Sequence, residues 1–256
     1  YFINYHIIPM VSAIWSMPPY EAKQMPLKFF LKFFQNHGLF NLKNRPQWYT
    51  IKNRSRTYVK KILETISGEY YKNYRINKIS RLSNGVKVYY GGNNEFFDYD
   101  KVVIATHADE ALSLITDPTP EEKSILANFK YKNNIAIIHT DETLMPKNKK
   151  AWSSWNSSVN KENTSETSIT YWLNLLQNLK TNKNIFLSLN PFLKIDPKKI
   201  ISKVKFTHPY YDKEALENQN RLKNIQNKKN LLFCGSYFGY GSVSYTHLTL
   251  PTIAEV

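Results

Sequence analysis

The residues of this chain best suited to chemistry gather at three turns. Ala105-Thr106-His107-Ala108 follows Lys101-Val102-Val103-Ile104, a continuous β-branched run that reads as a strand buried on both faces. Open α/β sheets place ligands at the carboxyl ends of such strands, so Thr106 and His107 are candidates to hydrogen-bond or stack against one. The same residues also read as a buried strand-to-helix corner with Asp109 as its cap. The second turn, Cys234-Gly235-Ser236-Tyr237 with Gly239-Tyr240-Gly241, follows the strand-like Leu231-Leu232-Phe233. There Gly235 permits close backbone approach to a ligand, with Ser236 and Gly241 beside it. The third turn, Asn53-Arg54-Ser55, precedes a helical stretch. Arg54 offers a guanidinium suited to phosphate, and Ser55 offers a hydroxyl suited to plain helix capping.

A second group sits on predicted strands. Trp152, Trp155, Asn156, Tyr171, Trp172 and Asn174 form either an aromatic wall for a small-molecule substrate or ordinary core packing. Tyr171 and Trp172 are adjacent, so they cannot face the same side of a regular strand. His37, His107, His139 and His208 show no metal-ligand spacing, and no metal is expected. No nucleophile-elbow motif is present, so a Ser-His-Asp triad cannot be argued. The Gly-x-Gly-x-x-Gly turn that cradles a dinucleotide's pyrophosphate is absent, as is the acidic residue that would bind its ribose.

Helices and strands must position these groups. Residues 1–45 read as helical, with a Pro18-Pro19 entry, apolar Leu27, Phe30, Leu31 and Phe34, and a stop at Gly38. A second amphipathic helix is expected over 55–67, with Val59, Ile62, Leu63 and Ile66 on its inner face. Asn84-Gly85 marks a hairpin turn ahead of the alternating Val86–Tyr90, and Gly91-Gly92 turns the chain again. Thr119-Pro120 opens a helix. Strands are expected at 135–139, 151–155, 168–172, 185–189 and 200–206, with a polar loop at 161–166. A helix over 212–226 precedes the last strand. The order suggests two interleaved substructures.

Of 256 residues, 42% are hydrophobic and 14% aromatic, enough for a packed core. The single cysteine, Cys234, excludes an intrachain disulfide and fits a reducing compartment, so a cytoplasmic location is expected. No apolar run is long enough to cross a bilayer, and no signal peptide is seen. A net charge of +15 would suit nucleic acid, but the lysines are scattered among abundant Asn, Ile and Tyr, as in an AT-rich genome. No nucleic-acid partner is expected. The chain opens on Tyr1-Phe2-Ile3-Asn4-Tyr5 without Met, which reads as the middle of a helix and as an N-terminal truncation.

Several segments together resemble a bacterial family of NAD/FAD-binding oxidoreductases related to monoamine oxidases and phytoene desaturases. They include Ile8-Pro9-Met10, Phe33-Phe34-Gln35-Asn36-His37-Gly38-Leu39, Arg45-Pro46-Gln47-Trp48 and Ser55-Arg56-Thr57-Tyr58-Val59. Val103–Asp109, His139-Thr140-Asp141, Trp152–Asn156, Thr170–Asn174, Leu189-Asn190-Pro191, His208-Pro209 and Phe233-Cys234-Gly235 continue the series to about residue 241.

The resemblance implies a mixed α/β (α+β) fold. It is an incomplete two-domain flavin amine-oxidase-like architecture, with a partial Rossmann-like FAD-binding domain interleaved with a helix-plus-antiparallel-sheet substrate domain. Residues 46–110 and 207–241 would belong to the flavin domain, and 1–45 and 111–206 to the substrate domain. Residues 242–256 depart from the family and read as a foreign tail. FAD is the implied cofactor, touched by Arg54, Ser55, Thr106, His107, Gly235, Ser236 and Gly241. The family carries Gly-Gly-Ser where this chain has Asn53-Arg54-Ser55, which removes the easy positive-φ conformations. Trp155, Asn156, Trp172 and Asn174 would face the substrate. Lys132 stands near the position of a lysine that many amine oxidases place by the flavin ring. The implied activity is hydride transfer from a small-molecule substrate to flavin, this chain alone being inactive. A desaturase or isomerase acting on a lipid-like substrate, or a non-catalytic binding fragment, is the alternative.

Overall fold

The computed structural model describes residues 1–44, 46, 47, 49–92, 95–160 and 167–241. The expected loop at 161–166 and the expected foreign tail at 242–256 lie outside these. In chain order the helices and strands are α1 (Ile8–Trp15), α2 (Pro19–Ala22), α3 (Leu27–Asn36), α4 (Arg56–Thr65), β1 (Ile76–Leu82), β2 (Gly85–Tyr90), β3 (Glu95–Tyr99) and β4 (Val102–Ile104). Then come α5 (Ala108–Leu114), α6 (Pro120–Leu126), β5 (Lys130–His139), β6 (Trp155–Val159), β7 (Thr167–Trp172) and α7 (Leu173–Leu176). The last are β8 (Phe186–Leu189), β9 (Ile200–Tyr210), α8 (Lys213–Gln219) and β10 (Leu231–Phe233). Helix accounts for 34% and strand for 27%, which places the chain in the mixed class. No described helix is long and apolar enough to cross a membrane.

The chain divides into two compact units, one of residues 1–68 and 132–208, the other of 69–131 and 209–256. In the first unit, α1 buries Ile8, Val11, Ala13 and Trp15, and α3 buries Phe29, Phe30, Phe33 and Phe34. The Trp15 ring lies 4.7 Å from Phe33 and 5.8 Å from Phe29. The inner face of α3 is therefore rotated from the expected one, leaving Leu27 and Leu31 exposed. The expected inner face of α4 is corrected too: the helix has no buried residue, and Val59, Ile62 and Ile66 are exposed. Five strands form one sheet in the order β6-β7-β8-β5-β9. The pairs β6/β7, β7/β8 and β5/β8 are antiparallel, with Trp155 opposite Tyr171 and Tyr171 opposite Leu187. The strand expected at 151–155 is instead a 3-10 turn, Lys149–Ala151, followed by β6. Asn148 accepts from the Lys150 amide, and the Trp152 indole donates to the Pro146 carbonyl at 2.8 Å. These local bonds outcompete a strand ladder.

The second unit holds an antiparallel sheet, β1-β2-β3, and a two-stranded parallel sheet, β10-β4. Leu82 pairs with Gly85, so the hairpin's loop residues are Ser83 and Asn84, one place earlier than expected. A Cβ on Gly85 would lie 2.7 Å from the Tyr99 carbonyl oxygen, which keeps that position in the strand as glycine. The core joins Ile79, Val86, Ile104, Ala111, Ile125, Leu231 and Phe233 with their neighbours. The strand β4 is covered on one face only: Ile104 is buried and Val103 is 43% exposed, which corrects the expectation of burial on both faces. The helix expected over 212–226 breaks after Gln219, and Leu222–Ile225 forms a 3-10 turn. Thr119 and Glu122 form a reciprocal capping box at the start of α6. The buried Glu122 carboxylate is paired with Arg81 of β1, whose guanidinium also reaches Asp117 at 3.3 Å.

Candidate functional site

The strands β4 and β10 run parallel, and their carboxyl ends finish together. Leu231, Leu232 and Phe233 pair with Val102, Val103 and Ile104, and the Cys234 amide donates to the Ile104 carbonyl at 3.0 Å. Thr106-His107 and Gly235-Ser236 are thereby brought to one corner of the second unit. A Cβ on Gly235 would lie 3.4 Å from the Thr106 carbonyl and 2.6 Å from the ring of the buried Tyr237, so only glycine fits without displacing that ring. The turn is pinned from below. The Tyr211 hydroxyl donates to the Ser236 carbonyl at 3.1 Å, and the Gly241 amide donates to the same oxygen at 3.2 Å. The Gln219 amide donates to the carbonyls of Tyr237 and Gly239.

The side chains at this corner are largely engaged by their own chain. His107 is the N-cap of α5 in a capping box with Glu110, in place of the expected Asp109, and its ring stacks on Tyr131 at 4.1 Å and 10°. The Tyr131 hydroxyl in turn accepts from the Ala108 amide at 2.8 Å. The Thr106 hydroxyl donates to the His107 carbonyl at 3.1 Å. The corner suits the edge of a flat cofactor, because parallel strands end there on bare backbone, and the buried Tyr237 hydroxyl has no partner among the described residues. Nothing described suits a pyrophosphate, since no Gly-rich turn joins a strand to a helix.

Arg54 and Ser55 belong to the first unit. Asn53 and Arg54 take φ of 63° and 71°, so the backbone adopts at both positions the left-handed form expected to be lost with the glycines. Both residues are exposed, so the cost is the backbone strain alone. Ser55 makes no side-chain cap bond, which corrects the plain-cap alternative.

The remaining candidates line the five-stranded sheet of the first unit. Trp155 is 46% exposed and packs edge-on against Tyr171, whose hydroxyl burial pushes up to about 12. Trp172 meets Trp152 edge-on, and its indole donates to the Asn184 side-chain oxygen at 3.1 Å. The two amides are engaged by backbone. Asn156 accepts from the Ser153 amide and donates to the Ser153 and Thr170 carbonyls. Asn174 accepts from the Ile185 amide and donates to the Lys183 carbonyl. The Lys132 ammonium is paired with the buried Glu21 carboxylate, and burial lowers its pKa.

A buried polar network in this unit was not anticipated. His139 and Ser188 are fully buried, with Nε2 2.8 Å from the Ser188 hydroxyl, which lies 2.7 Å from that of Thr170. The Asp141 amide donates to His139 Nδ1 at 3.1 Å, so Nδ1 accepts and Nε2 carries the hydrogen. His139 therefore donates to Ser188 rather than taking its proton, the reverse of a nucleophile–base pair. Burial lowers the His139 pKa and keeps the ring neutral. The Asp141 carboxylate accepts from the Thr143 amide and hydroxyl, the Asp196 amide and the Lys199 ammonium. The sequence signal was present in His139-Thr140-Asp141 alternating along a strand end.

No family model and no curated protein matches this sequence. Solved structures share its fold. A protein assigned as a protoporphyrinogen oxidase from Exiguobacterium sp. 255-15 is 11% identical, with a TM-score of 0.58 over 95% of this chain and 61% of that one. Cyclohexylamine oxidase from Brevibacterium oxydans IH-35A is 9% identical, with a TM-score of 0.57 over 92% and 59%. A CLA-producing fatty acid isomerase from P. acnes is 12% identical, with a TM-score of 0.51 over 75% and 49%. The chain thus spans about half to three-fifths of the length of the structures it matches. The likeness is one of fold: a mixed helix and sheet shared with part of each of those chains.

Proposed function

We propose that this chain is part of an FAD-dependent oxidoreductase that moves a hydride from a small-molecule substrate to flavin. The observation that carries this reading is the joint ending of β4 and β10, which gathers Thr106, His107, Gly235 and Ser236 at one corner. Parallel strand ends of an α/β layer are where such ligands bind. Thr106, Gly235 and Ser236 would present backbone to the cofactor edge, and Gly241 would hold the turn. Arg54 and Ser55 would serve a second contact through the left-handed turn before α4. Residues 46–110 and 207–241 would form the flavin side, and 1–45 and 111–206 the substrate side, with Trp155 beside Tyr171 on one face of its sheet, Trp172 on the other, and Asn156 and Asn174 holding the strand ends. When bound, flavin supplies the hydride acceptor, and the protein orients and shields.

The chain alone holds FAD weakly in this reading, because it carries no Gly-x-Gly-x-x-Gly segment for the pyrophosphate. Melting of the purified chain with and without FAD is expected to show no shift. A protein joining this chain to such a segment is expected to purify yellow. If that protein is colourless and also refuses added FAD, the reading fails.

A second reading, desaturation or isomerisation of a lipid-like substrate, is favoured by Lys132. It stands near, not at, the position of the lysine implied for amine oxidation, and its ammonium is engaged by Glu21.

A further inference from the structure

The first unit contains a cavity of about 440 Å³ between α1 and the sheet strands β7 and β8. Its size falls within the range of small-molecule sites. Met17, Ile169 and Leu189, all buried, and Phe192 supply apolar walls. Ser16 ends α1 with φ 52° and ψ 42°, a left-handed conformation that a serine rarely adopts and that turns the chain along the cavity.

One fully buried hydroxyl in this lining is unspent. The Ser12 hydroxyl is 1% exposed and has no hydrogen-bond partner among the described residues. A serine within a helix ordinarily bonds back to the carbonyl four residues earlier, and Ser12 does not. Its own carbonyl already accepts from the Ser16 and Met17 amides. Of the other polar side chains in the lining, Asn190 is committed, accepting from the Ile135 amide at 2.8 Å and donating to Asn134 at 2.7 Å, and the Ser16 and Thr167 hydroxyls are only half-buried, within reach of water. No Asp, Glu, Lys, Arg or His is among the described lining residues. An ion entering would find no opposite charge on these walls and would give up part of its hydration.

We infer that this cavity binds a neutral, mainly apolar small molecule whose single hydroxyl or carbonyl meets the Ser12 hydroxyl. That the ligand is the substrate rests on the oxidoreductase reading; that it binds does not, and it needs no flavin. The serine was visible in the sequence as the one hydroxyl inside Val11-Ser12-Ala13, on the buried face of an apolar helix.

The test uses the full chain, without flavin, and three probes of equal chain length at pH 7: 1-octanol, sodium octanoate and octylammonium chloride. Binding is read by calorimetry and by saturation-transfer NMR. Octanol is expected to saturate one site, with the two ions at least about tenfold weaker. Ser12→Ala is expected to weaken octanol about five- to tenfold while raising the melting temperature of the free protein, because an unmet buried hydroxyl is removed. Ile169→Trp fills the cavity and is expected to abolish octanol binding. The inference is overturned if octanol fails to bind, if the ions bind equally well, or if wild type and Ser12→Ala bind alike. Should Ile169→Trp not fold, the charge series on the wild type still decides. Octanol binding here, with the chain joined to a Gly-x-Gly-x-x-Gly segment staying colourless and refusing added FAD, would sink the oxidoreductase reading while leaving the site in place.

Discussion

Two buried carboxylates, one in each unit, are stabilised by opposite means. Glu122 in the second unit is fully buried and rests on one strong partner, the Arg81 guanidinium, itself 5% exposed, with the Thr119 amide as a lesser one. Asp141 in the first unit is 2% exposed and rests on several modest donors: two backbone amides, one hydroxyl and the half-exposed Lys199 ammonium. The first is an ion pair sealed inside a core. The second is an anion held mainly by the backbone. Neither carboxylate is left available to act as an acid or base.

The sharpest way to break the contrast is Arg81→Met. It leaves the Glu122 charge buried without its cation, and the expected loss is about 3–5 kcal/mol. Chemical denaturation measures it. Adding Glu122→Gln to that variant should recover a large part of the loss; no recovery would mean that Arg81 acts by packing rather than by charge.

Acid comes next. Burial alone would raise the Asp141 pKa, but the Asp196 amide, the Lys199 ammonium and the Thr143 amide and hydroxyl outweigh it and hold the group at about 2. A carboxylate depressed in the folded state contributes stability that is complete above its unfolded pKa near 4 and is lost as pH falls toward 2. The expected contribution is about 2 kcal/mol. Unfolding titrations of wild type and Asp141→Asn between pH 2 and 7 should converge at the acid end. Parallel curves across the range would show that the amides do not hold a charge.

How much of this was legible in the sequence differs between the carboxylates. Thr119-Pro120-Glu121-Glu122 announces its helix start, because the cap is local and its partners lie within three residues. The partner Arg81 was not legible, since it stands on a strand 41 residues away. At the corner, strand β4, strand β10 and Gly235 were readable as local patterns, but their parallel pairing crosses more than a hundred residues. The apolar spacing of α3 gave a helix and half of its inner face, Phe30 and Phe34, because four phenylalanines within six residues permit more than one stripe. Asn53 is a residue type that tolerates φ above zero, but nothing announces it for the exposed Arg54, whose amide and carbonyl are tied to Ile51 and Thr57.

Thr119→Ala probes the other half of the capping box, leaving the Thr119 amide on the Glu122 carboxylate. It removes the hydroxyl that accepts from the Glu122 amide at 3.2 Å and leaves the Arg81 pair intact. The expected loss is about 1 kcal/mol. A loss as large as that of Arg81→Met would mean that the cap, not the ion pair, positions Glu122.

Lys199→Met should cost the least, and it tests whether Asp141 depends on the backbone as described. The Lys199 side chain is 43% exposed, so solvent already screens its pair with Asp141 at 3.0 Å. The amides of Thr143 and Asp196 and the Thr143 hydroxyl remain in the variant. The backbone of Lys199 keeps its own bonds, donating to Asp196 and accepting from Thr140. The expected loss is below about 1 kcal/mol at neutral pH. Losing one of several donors moves the Asp141 pKa upward toward its unfolded value, so the acid-induced loss of stability should be smaller and finish at higher pH than in wild type, with its onset near pH 4 unchanged. A loss rivalling that of Arg81→Met would make both carboxylates ion pairs of the same kind, and the distinction between the two units would fall.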